Sequence, residues 1–213
     1  EGKTVTGKRV NAHKALMEAV DLSNPTLNTK YFTWYDTKYG NYAWNLVANP
    51  SSSTSSFVAI DIGGQSLERY NLLPYSRITP LVNNIRTGPV KVIHDGSVIT
   101  TQRVIWDGEF NEFAGIPANS LTDEYYFTWN DTKYGNYAWT LVGVPESAAQ
   151  AAQVEIYIED MDTPKWTGEV SPGESVTPLV KNIRSGPVRV ISTNGINFYT
   201  TQRVIWDGEF NEF

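Results

Sequence analysis

The sequence Thr-Thr-Gln-Arg-Val-Ile-Trp-Asp-Gly-Glu-Phe-Asn-Glu-Phe occupies residues 100–113 and recurs without change at residues 200–213. Upstream of it, residues 32–44 closely match residues 127–139, and residues 79–90 match residues 177–188. A period of about 100 residues suits a small domain and is too long for a solenoid repeat. We therefore predict an N-terminal segment over residues 1–25, followed by repeat 1 over residues 26–115 and repeat 2 over residues 116–213.

Both repeats have the pattern of β-strands. Apolar residues alternate with polar or small ones at Val58, Ile60 and Ile62, and the same alternation occurs at residues 154–158. The dipeptides Asp95-Gly96 and Asn194-Gly195 are typical of hairpin turns, and Tyr39-Gly40-Asn41 predicts a turn between strands at residues 32–34 and 42–46. About six or seven turn-linked strands in each repeat predict an all-β fold of two tandem antiparallel β-sandwich domains, immunoglobulin-like in type, with an extra N-terminal segment.

Aromatic residues recur in register between the repeats. Their alternation with polar residues predicts that the recurring tryptophans lie in the core, where large rings bury the most surface. This set comprises Trp34, Trp44, Trp106, Trp129, Trp139 and Trp206. Three tyrosines outside the predicted inward set are the better candidates for surface contacts with sugar rings, namely Tyr35, Tyr39 and Tyr134.

Composition excludes several classes of function. The net charge of −6 argues against a nucleic-acid groove, which needs clustered Lys and Arg. No apolar run approaches the roughly 18–20 residues that cross a bilayer, so we expect no membrane insertion. The absence of Cys excludes disulfides and thiolate metal sites. The triplet Asn130-Asp131-Thr132 fits an N-glycosylation acceptor at Asn130.

The repeated stretch also carries an acidic cluster, with Asp107 and Glu109 recurring as Asp207 and Glu209. Paired carboxylates can hydrolyse glycosides, but duplication of the cluster in two small repeats leaves little room for a catalytic cleft, and we expect no enzyme. A calcium site at these four residues is a second interpretation, because calcium takes hard oxygen ligands. A tight Asp-Gly turn with Phe110 and Phe113 inward is the third. Calcium is the one cofactor that the sequence leaves open.

The N-terminal segment contains a partial echo of the repeated strand. Thr6 and Arg9-Val10 precede the first Tyr-Phe-Thr-Trp motif much as Thr101 and Arg103-Val104 precede the second. The echo predicts a strand, with Thr4, Thr6, Arg9 and Val10 as its contact residues, that could be lent to a neighbouring chain. A short helical turn over residues 11–20 is the alternative.

Several motifs resemble those of a known group of modules: Phe-Thr-Trp-x-Asp, Trp-x-Leu-Val, Gly-Pro-Val-x-Val, Thr-Gln-Arg-Val-x-Trp and Gly-Ile-Pro. The combination resembles tandem β-sandwich repeat modules of secreted or cell-surface bacterial proteins, across both repeats. That resemblance implies an extracellular or cell-surface stalk or filament subunit whose main partner is another copy of itself. A carbohydrate-binding or adhesive module, with glycans as partners, is the alternative.

Overall fold

The computed structural model describes residues 27–106 and 108–213, and within these ranges the chain is an all-β protein of several small antiparallel sheets. The all-β prediction is confirmed. The only helical element in the described ranges is one 3-10 turn, Ala118–Ser120. Asp107 and the N-terminal residues Thr4, Thr6, Arg9 and Val10 lie outside the described residues, so the predictions made for them stay predictions.

Repeat 1 and the linker form three sheets. A five-stranded sheet has the order β11-β1-β8-β4-β5, a four-stranded sheet has the order β10-β9-β3-β6, and β2 pairs with β7. The strands are β1 Asn28–Phe32, β2 Tyr35–Asp36, β3 Tyr42–Ala48, β4 Ser56–Ile62, β5 Gln65–Leu72, β6 Arg77–Ile78, β7 Arg86–Thr87, β8 Val90–His94, β9 Ile99–Trp106, β10 Glu109–Ala114 and β11 Ile116–Pro117.

Repeat 2 reproduces this arrangement with one strand fewer. Its four-stranded sheets have the orders β12-β19-β15-β16 and β17-β14-β20-β21, and β13 pairs with β18. The strands are β12 Glu124–Phe127, β13 Asn130–Asp131, β14 Tyr137–Gly143, β15 Ala152–Ile158, β16 Trp166–Val170, β17 Ser175–Val176, β18 Arg184–Ser185, β19 Val188–Ser192, β20 Tyr199–Trp206 and β21 Glu209–Glu212.

The hydrophobic core of repeat 1 draws on both of its larger sheets. Ile60 and Val92 come from the five-stranded sheet, and Ala43 and Val104 come from the four-stranded one. All four are buried, and full burial of a valine or isoleucine side chain stabilises the fold by about 1.5–3 kcal/mol. The alternation read from the sequence therefore identifies the inward faces of these strands correctly.

The predicted hairpins at Asp95-Gly96 and Asn194-Gly195 are wrong, because the strands on either side of each turn belong to different sheets. Gly96 and Gly195 do adopt the positive φ of a turn, at +59° and +71°. The side chains ahead of them explain the geometry. Asp95 accepts a hydrogen bond from the Phe57 amide at 2.7 Å, and Asn194 accepts one from Gln153 at 3.0 Å. Each turn is thus tied to a neighbouring strand of the sheet that the chain is leaving.

The hairpin predicted between residues 32–34 and 42–46 is also wrong, because β1 pairs with β8 whereas β3 pairs with β9. The turn at Gly40 itself is present, with φ of +86°. It carries the chain from one sheet to the next, which two alternating patterns alone could not reveal.

The predicted burial of the recurring tryptophans is wrong as well. None of the six belongs to the buried core, and Trp129 and Trp206 are exposed. Tyr35, predicted at the surface, is fully buried, and its hydroxyl accepts a hydrogen bond from the Val82 amide at 2.9 Å. The two tyrosines in the turns are exposed as predicted, namely Tyr39 and Tyr134.

Strand β11 extends the sheet of repeat 1. Ile116 and Pro117, which the predicted boundary assigns to repeat 2, pair with Tyr31 and Lys30 of β1. The edge of β1 is therefore covered by a strand that leads into the next repeat.

The packing around Gly143 differs from the packing at the equivalent position of repeat 1. Gly143 lies opposite Tyr199 across β14 and β20, and a Cβ at this position would lie 2.3 Å from the Tyr199 ring. Repeat 1 has the smaller pair Ala48 and Ile99 in the same register. We predict that Gly143→Ala lowers the free energy of unfolding by about 1–3 kcal/mol, the usual cost of overpacking.

Denaturant unfolding should show that this cost nearly disappears in a Tyr199→Ile background, because the ring that would be displaced is gone. An equal cost of Gly143→Ala in both backgrounds would contradict this account of the pair.

Candidate functional site

The repeated stretch forms a β-hairpin at the end of each repeat. In repeat 2, Trp206 pairs with Glu209, and the loop residues Asp207 and Gly208 have positive φ values of +52° and +85°. Two consecutive positive φ angles define the type I′ turn that matches the twist of paired strands. The Asp-Gly dipeptide is therefore explained by the turn that it makes.

The acidic residues at this turn are exposed. Asp207 and Glu209 lie on and beside the loop in repeat 2, and Glu109 is likewise exposed in repeat 1. Within the described ranges, no group of three or more His, Asp or Glu side chains is placed to hold a metal. Calcium takes roughly six to eight oxygen ligands, so the hairpin would have to share an ion with another segment or chain. The calcium interpretation stays a prediction.

An arginine and a glutamate pair across each hairpin. Arg103 binds one oxygen of Glu112 through Nε at 3.0 Å and Nη2 at 2.8 Å, while the Thr101 hydroxyl donates to the other oxygen at 2.8 Å. Repeat 2 has the same arrangement between Arg203 and Glu212, at 2.8 Å and 2.6 Å. In each hairpin, the repeated arginine therefore pairs with an acid on the neighbouring strand.

The two pairs differ sharply in their surroundings. In repeat 1 the side chains of Arg103 and Glu112 are 43% and 29% exposed, whereas those of Arg203 and Glu212 are 7% and 0% exposed. The cover is supplied by Thr33 of repeat 1. Its hydroxyl lies 2.7 Å from that of Thr201 and donates to Glu212 at 3.3 Å. The two identical hairpin sequences therefore hold one solvent-exposed ion pair, in repeat 1, and one buried ion pair, in repeat 2. They are called the wet pair and the dry pair below.

Aromatic rings surround the dry pair. The ring of Tyr31 stacks on that of Tyr199 with centroids 4.6 Å apart. Trp106 lies 5.0 Å from Trp139 and meets Phe210 edge-on at 5.7 Å. The guanidinium of Arg203 sits 5.2 Å from the centre of the Trp106 ring, which is a cation–π contact. Contacts of this kind make a packed interface between the two repeats.

Polar contacts extend the same interface. Lys91 of repeat 1 pairs with Glu146 of repeat 2, and also with Asp61 of its own repeat at 3.1 Å. The Asn111 amide donates to the Asn211 side chain at 3.2 Å, joining β10 to β21.

The two repeats contribute different surfaces to this contact. Repeat 1 contributes an insertion edge, formed by Tyr31, Thr33 and Trp106. Repeat 2 contributes a receiving face, the outward side of its β14-β20-β21 sheet, formed by Trp139, Tyr199, Thr201, Arg203, Phe210 and Glu212. A contact between unlike surfaces of like units is heterologous, so each repeat also possesses the surface that it does not use here.

The unused surfaces are exposed. Tyr126 and Trp206, the counterparts of Tyr31 and Trp106 on the insertion edge, are 61% and 62% exposed. Phe110 is 54% exposed, whereas Phe210, its counterpart on the receiving face, is 3% exposed. The prediction that Phe110 points inward is therefore wrong. It lies on the outward face of its sheet, which the other repeat covers in repeat 2 and which no described residue covers in the same way in repeat 1.

The pKa values of three groups respond to these environments. Burial raises the pKa values of Tyr31 and Tyr199, and the carboxylate of Glu146 adds to the effect. On the uncovered face, hydrogen bonds from Arg103 and then Thr101 lower the pKa of Glu112. The interface thus favours neutral phenols, while the free face favours a charged carboxylate.

Asn130, the predicted glycosylation acceptor, is only 1% exposed in β13. Glycan attachment at this amide is incompatible with its burial in the folded chain, which counts against that prediction.

Comparison with known proteins adds no relative: no family model, curated protein or solved structure matches the chain. No helix among the described residues is long and apolar enough to cross a bilayer.

The sequence does not predict the interface formed by Thr33, Tyr31 and Trp106, since the same residue types recur in repeat 2 without being buried.

The matched ion pairs permit a direct test of burial. We predict that Glu212→Ala lowers the free energy of unfolding by about 3–5 kcal/mol, because it leaves the Arg203 guanidinium buried without a partner. The control Glu112→Ala removes the same side chain from the exposed pair and is expected to cost about 0–1 kcal/mol. Equal losses in denaturant unfolding would mean that Glu212 is not buried by repeat 1.

The stacked tyrosines predict a loss of stability in alkali. Because the unfolded chain ionises its tyrosines near pH 10 while the folded chain holds Tyr31 and Tyr199 neutral, the free energy of unfolding should fall as the pH rises above about 10. Tyr199→Phe should flatten this alkaline limb, and Tyr126→Phe, at the exposed position, serves as the control. An unchanged limb in Tyr199→Phe would overturn the assignment.

Proposed function

We propose that this chain is a structural subunit of an extracellular or cell-surface assembly, a stalk or filament that grows head to tail by β-strand addition. The donated strand is the N-terminal segment, through Thr4, Thr6, Arg9 and Val10, and the acceptor is β12 of a neighbouring copy. On this proposal each repeat is an immunoglobulin-like β-sandwich, which the shared core of two antiparallel sheets supports.

The observation that carries the proposal is the edge of β12. In repeat 1 the equivalent strand, β1, is paired on both sides, with β8 and with β11. In repeat 2, β12 pairs only with β19 among the described residues. An open edge presents unpaired backbone N–H and C=O groups, which makes it a site for pairing with another chain.

Chain order indicates which segment would fill that edge. Strand β11 comes immediately before repeat 2 in the chain and pairs with the repeat that precedes it. By the same relation, the segment immediately before repeat 1 of one copy would pair with repeat 2 of the preceding copy. That segment is residues 1–25, which also contain, at Thr6 and Arg9-Val10, an echo of β9, a strand that comes before β11 in the chain.

Strand addition can be tested through the backbone alone. Val10→Pro removes one N–H donor and fixes φ, so it should break pairing in the donated strand. The control Val10→Ala keeps the donor. We expect light scattering and electron microscopy to show assemblies with Val10→Ala and their loss with Val10→Pro or with deletion of residues 1–25. Assembly that survives the deletion would overturn the proposal.

Hydrogen exchange locates the acceptor. On addition of a peptide of residues 1–25 to the deleted chain, the outward amides of β12 should gain protection, while those of β1, already paired with β11, should not change. Equal behaviour of the two strands would argue against β12 as the acceptor.

A carbohydrate-binding or adhesive module is the second candidate. Exposed Trp129 and Trp206 on repeat 2 are the observation that favours it, because open aromatic faces can stack on sugar rings. Binding on a glycan array that is lost in Trp206→Ala would support this alternative, and the absence of binding to any glycan would count against it.

A further inference from the structure

We propose that the insertion edge of repeat 2 docks onto the receiving face of repeat 1 in a second copy of this chain, reproducing between copies the contact that joins the repeats within one. This inference rests on the proposed head-to-tail assembly. It adds the side-chain surfaces that would fix how successive copies pack.

The residues that make the internal contact are present again at the two unused surfaces. The free insertion edge carries Tyr126, Thr128 and Trp206, the same residue types as Tyr31, Thr33 and Trp106. Among the six residues that define this face, the free receiving face differs from its covered counterpart in Ile99 alone, which stands in place of Tyr199. It comprises Trp44, Ile99, Thr101, Arg103, Phe110 and Glu112.

The free receiving face already has the shape of the covered one. Trp44 stacks on Tyr42 at 5.4 Å and 11°, as Trp139 stacks on Tyr137 at 5.1 Å and 12°. The guanidinium of Arg103 lies 5.4 Å from the ring of Phe110, the same distance that separates Arg203 from Phe210. A face that needs no rearrangement loses little conformational entropy on binding.

A groove marks the place where the incoming indole would lie. It has a volume of 310 Å³ and is lined by Trp44, Arg103 and Phe110, among others. The corresponding three residues of repeat 2 contact the indole of Trp106. Exposed Trp206 is the residue that occupies the groove in the proposed contact.

Exposed polar groups of the free insertion edge and of the free receiving face also match the groups that meet in the internal contact. The hydroxyl of Thr128, exposed in repeat 2, corresponds to that of Thr33, which caps Thr201 and Glu212. The Thr101 hydroxyl and the Glu112 carboxylate are held in place by their own hydrogen bond at 2.8 Å. Docking would cover the wet ion pair of repeat 1 as the dry one is covered.

Because the two surfaces are unlike, an open assembly has a free receiving face at one end and a free insertion edge at the other. Heterologous contacts of this kind build a ring if the rotation closes and a filament if it does not.

The contact between copies should be weaker than the one within the chain. Ile99 cannot form the stack that joins Tyr31 to Tyr199, and Ser51 stands where repeat 2 has Glu146, the partner of Lys91. Dilution should therefore separate copies while the two repeats of each chain remain packed.

Cysteine cross-linking tests this contact directly, since the chain has no Cys. The hydroxyl oxygens of Thr33 and Thr201 are 2.7 Å apart, close enough for Cys at both positions to form a disulfide. Thr33→Cys with Thr201→Cys is the positive control, and it should close within one chain. Thr101→Cys with Thr128→Cys tests the proposal, and it should give a ladder of disulfide-linked multimers on a non-reducing gel.

Thr101→Cys with Thr193→Cys is the mismatched control, because Thr193 is exposed but lies on a loop outside the insertion edge. A ladder no stronger than in this control, in samples where light scattering detects multimers, would overturn the interface and leave strand addition standing. Failure to form multimers under any condition would overturn both proposals. Mixing the single variants Thr101→Cys and Thr128→Cys should give cross-linked dimers only, which guards against misfolding of the double variant.

Discussion

Glu212 lies out of contact with water, bound by Arg203 and Thr201 and capped by Thr33 of the other repeat. A buried charge is tolerated only when its partner and its remaining hydrogen bonds are all supplied. The hairpin provides the arginine and one threonine, and repeat 1 provides the second threonine and the aromatic cover. The packing of the two repeats therefore depends on this one satisfied carboxylate and on the rings around it.

The same hairpin in repeat 1 keeps its ion pair in water. Arg103 and Glu112 satisfy each other without a neighbour, so the sequence folds the hairpin equally well with or without a cover. The two faces differ in how much they contribute to stability. Exposed aromatic side chains such as Phe110 and Trp206 stabilise the protein only when another surface buries them. A hairpin built in this way keeps its ion pair satisfied without a cover, and in repeat 2 the same face packs against a like unit. Strand β11 adds the backbone counterpart, because it closes the edge of β1 while β12 pairs only with β19 in the part of the chain that the structure describes.

Sequence reasoning located the strands and the repeats but not the sheets to which they belong. Period-2 alternation at Val58, Ile60 and Ile62 reports which face is buried, and the structure agrees. It does not report which strand pairs with which, and the Asp95-Gly96 dipeptide favours a hairpin although the turn links two sheets. The burial predictions for Trp206 and Phe110 are wrong for another reason, because the burial of these side chains depends on a neighbouring repeat. Two positions with identical sequences cannot be told apart by pattern. The substitutions of Tyr199 for Ile99, Gly143 for Ala48 and Glu146 for Ser51 distinguish the covered face from the free one.

The same repeated sequence is buried in repeat 2 and exposed in repeat 1, where we propose that a second copy covers it. Hydroxyl-radical footprinting across a range of protein concentrations tests it, because the two copies of the hairpin lie in tryptic peptides of different length. The account predicts that Phe210 stays unreactive throughout, while Phe110 and Trp206 react in dilute solution and become protected together as copies associate. Equal reactivity of Phe110 and Phe210 in dilute solution, or no protection of Phe110 and Trp206 on association, would contradict it.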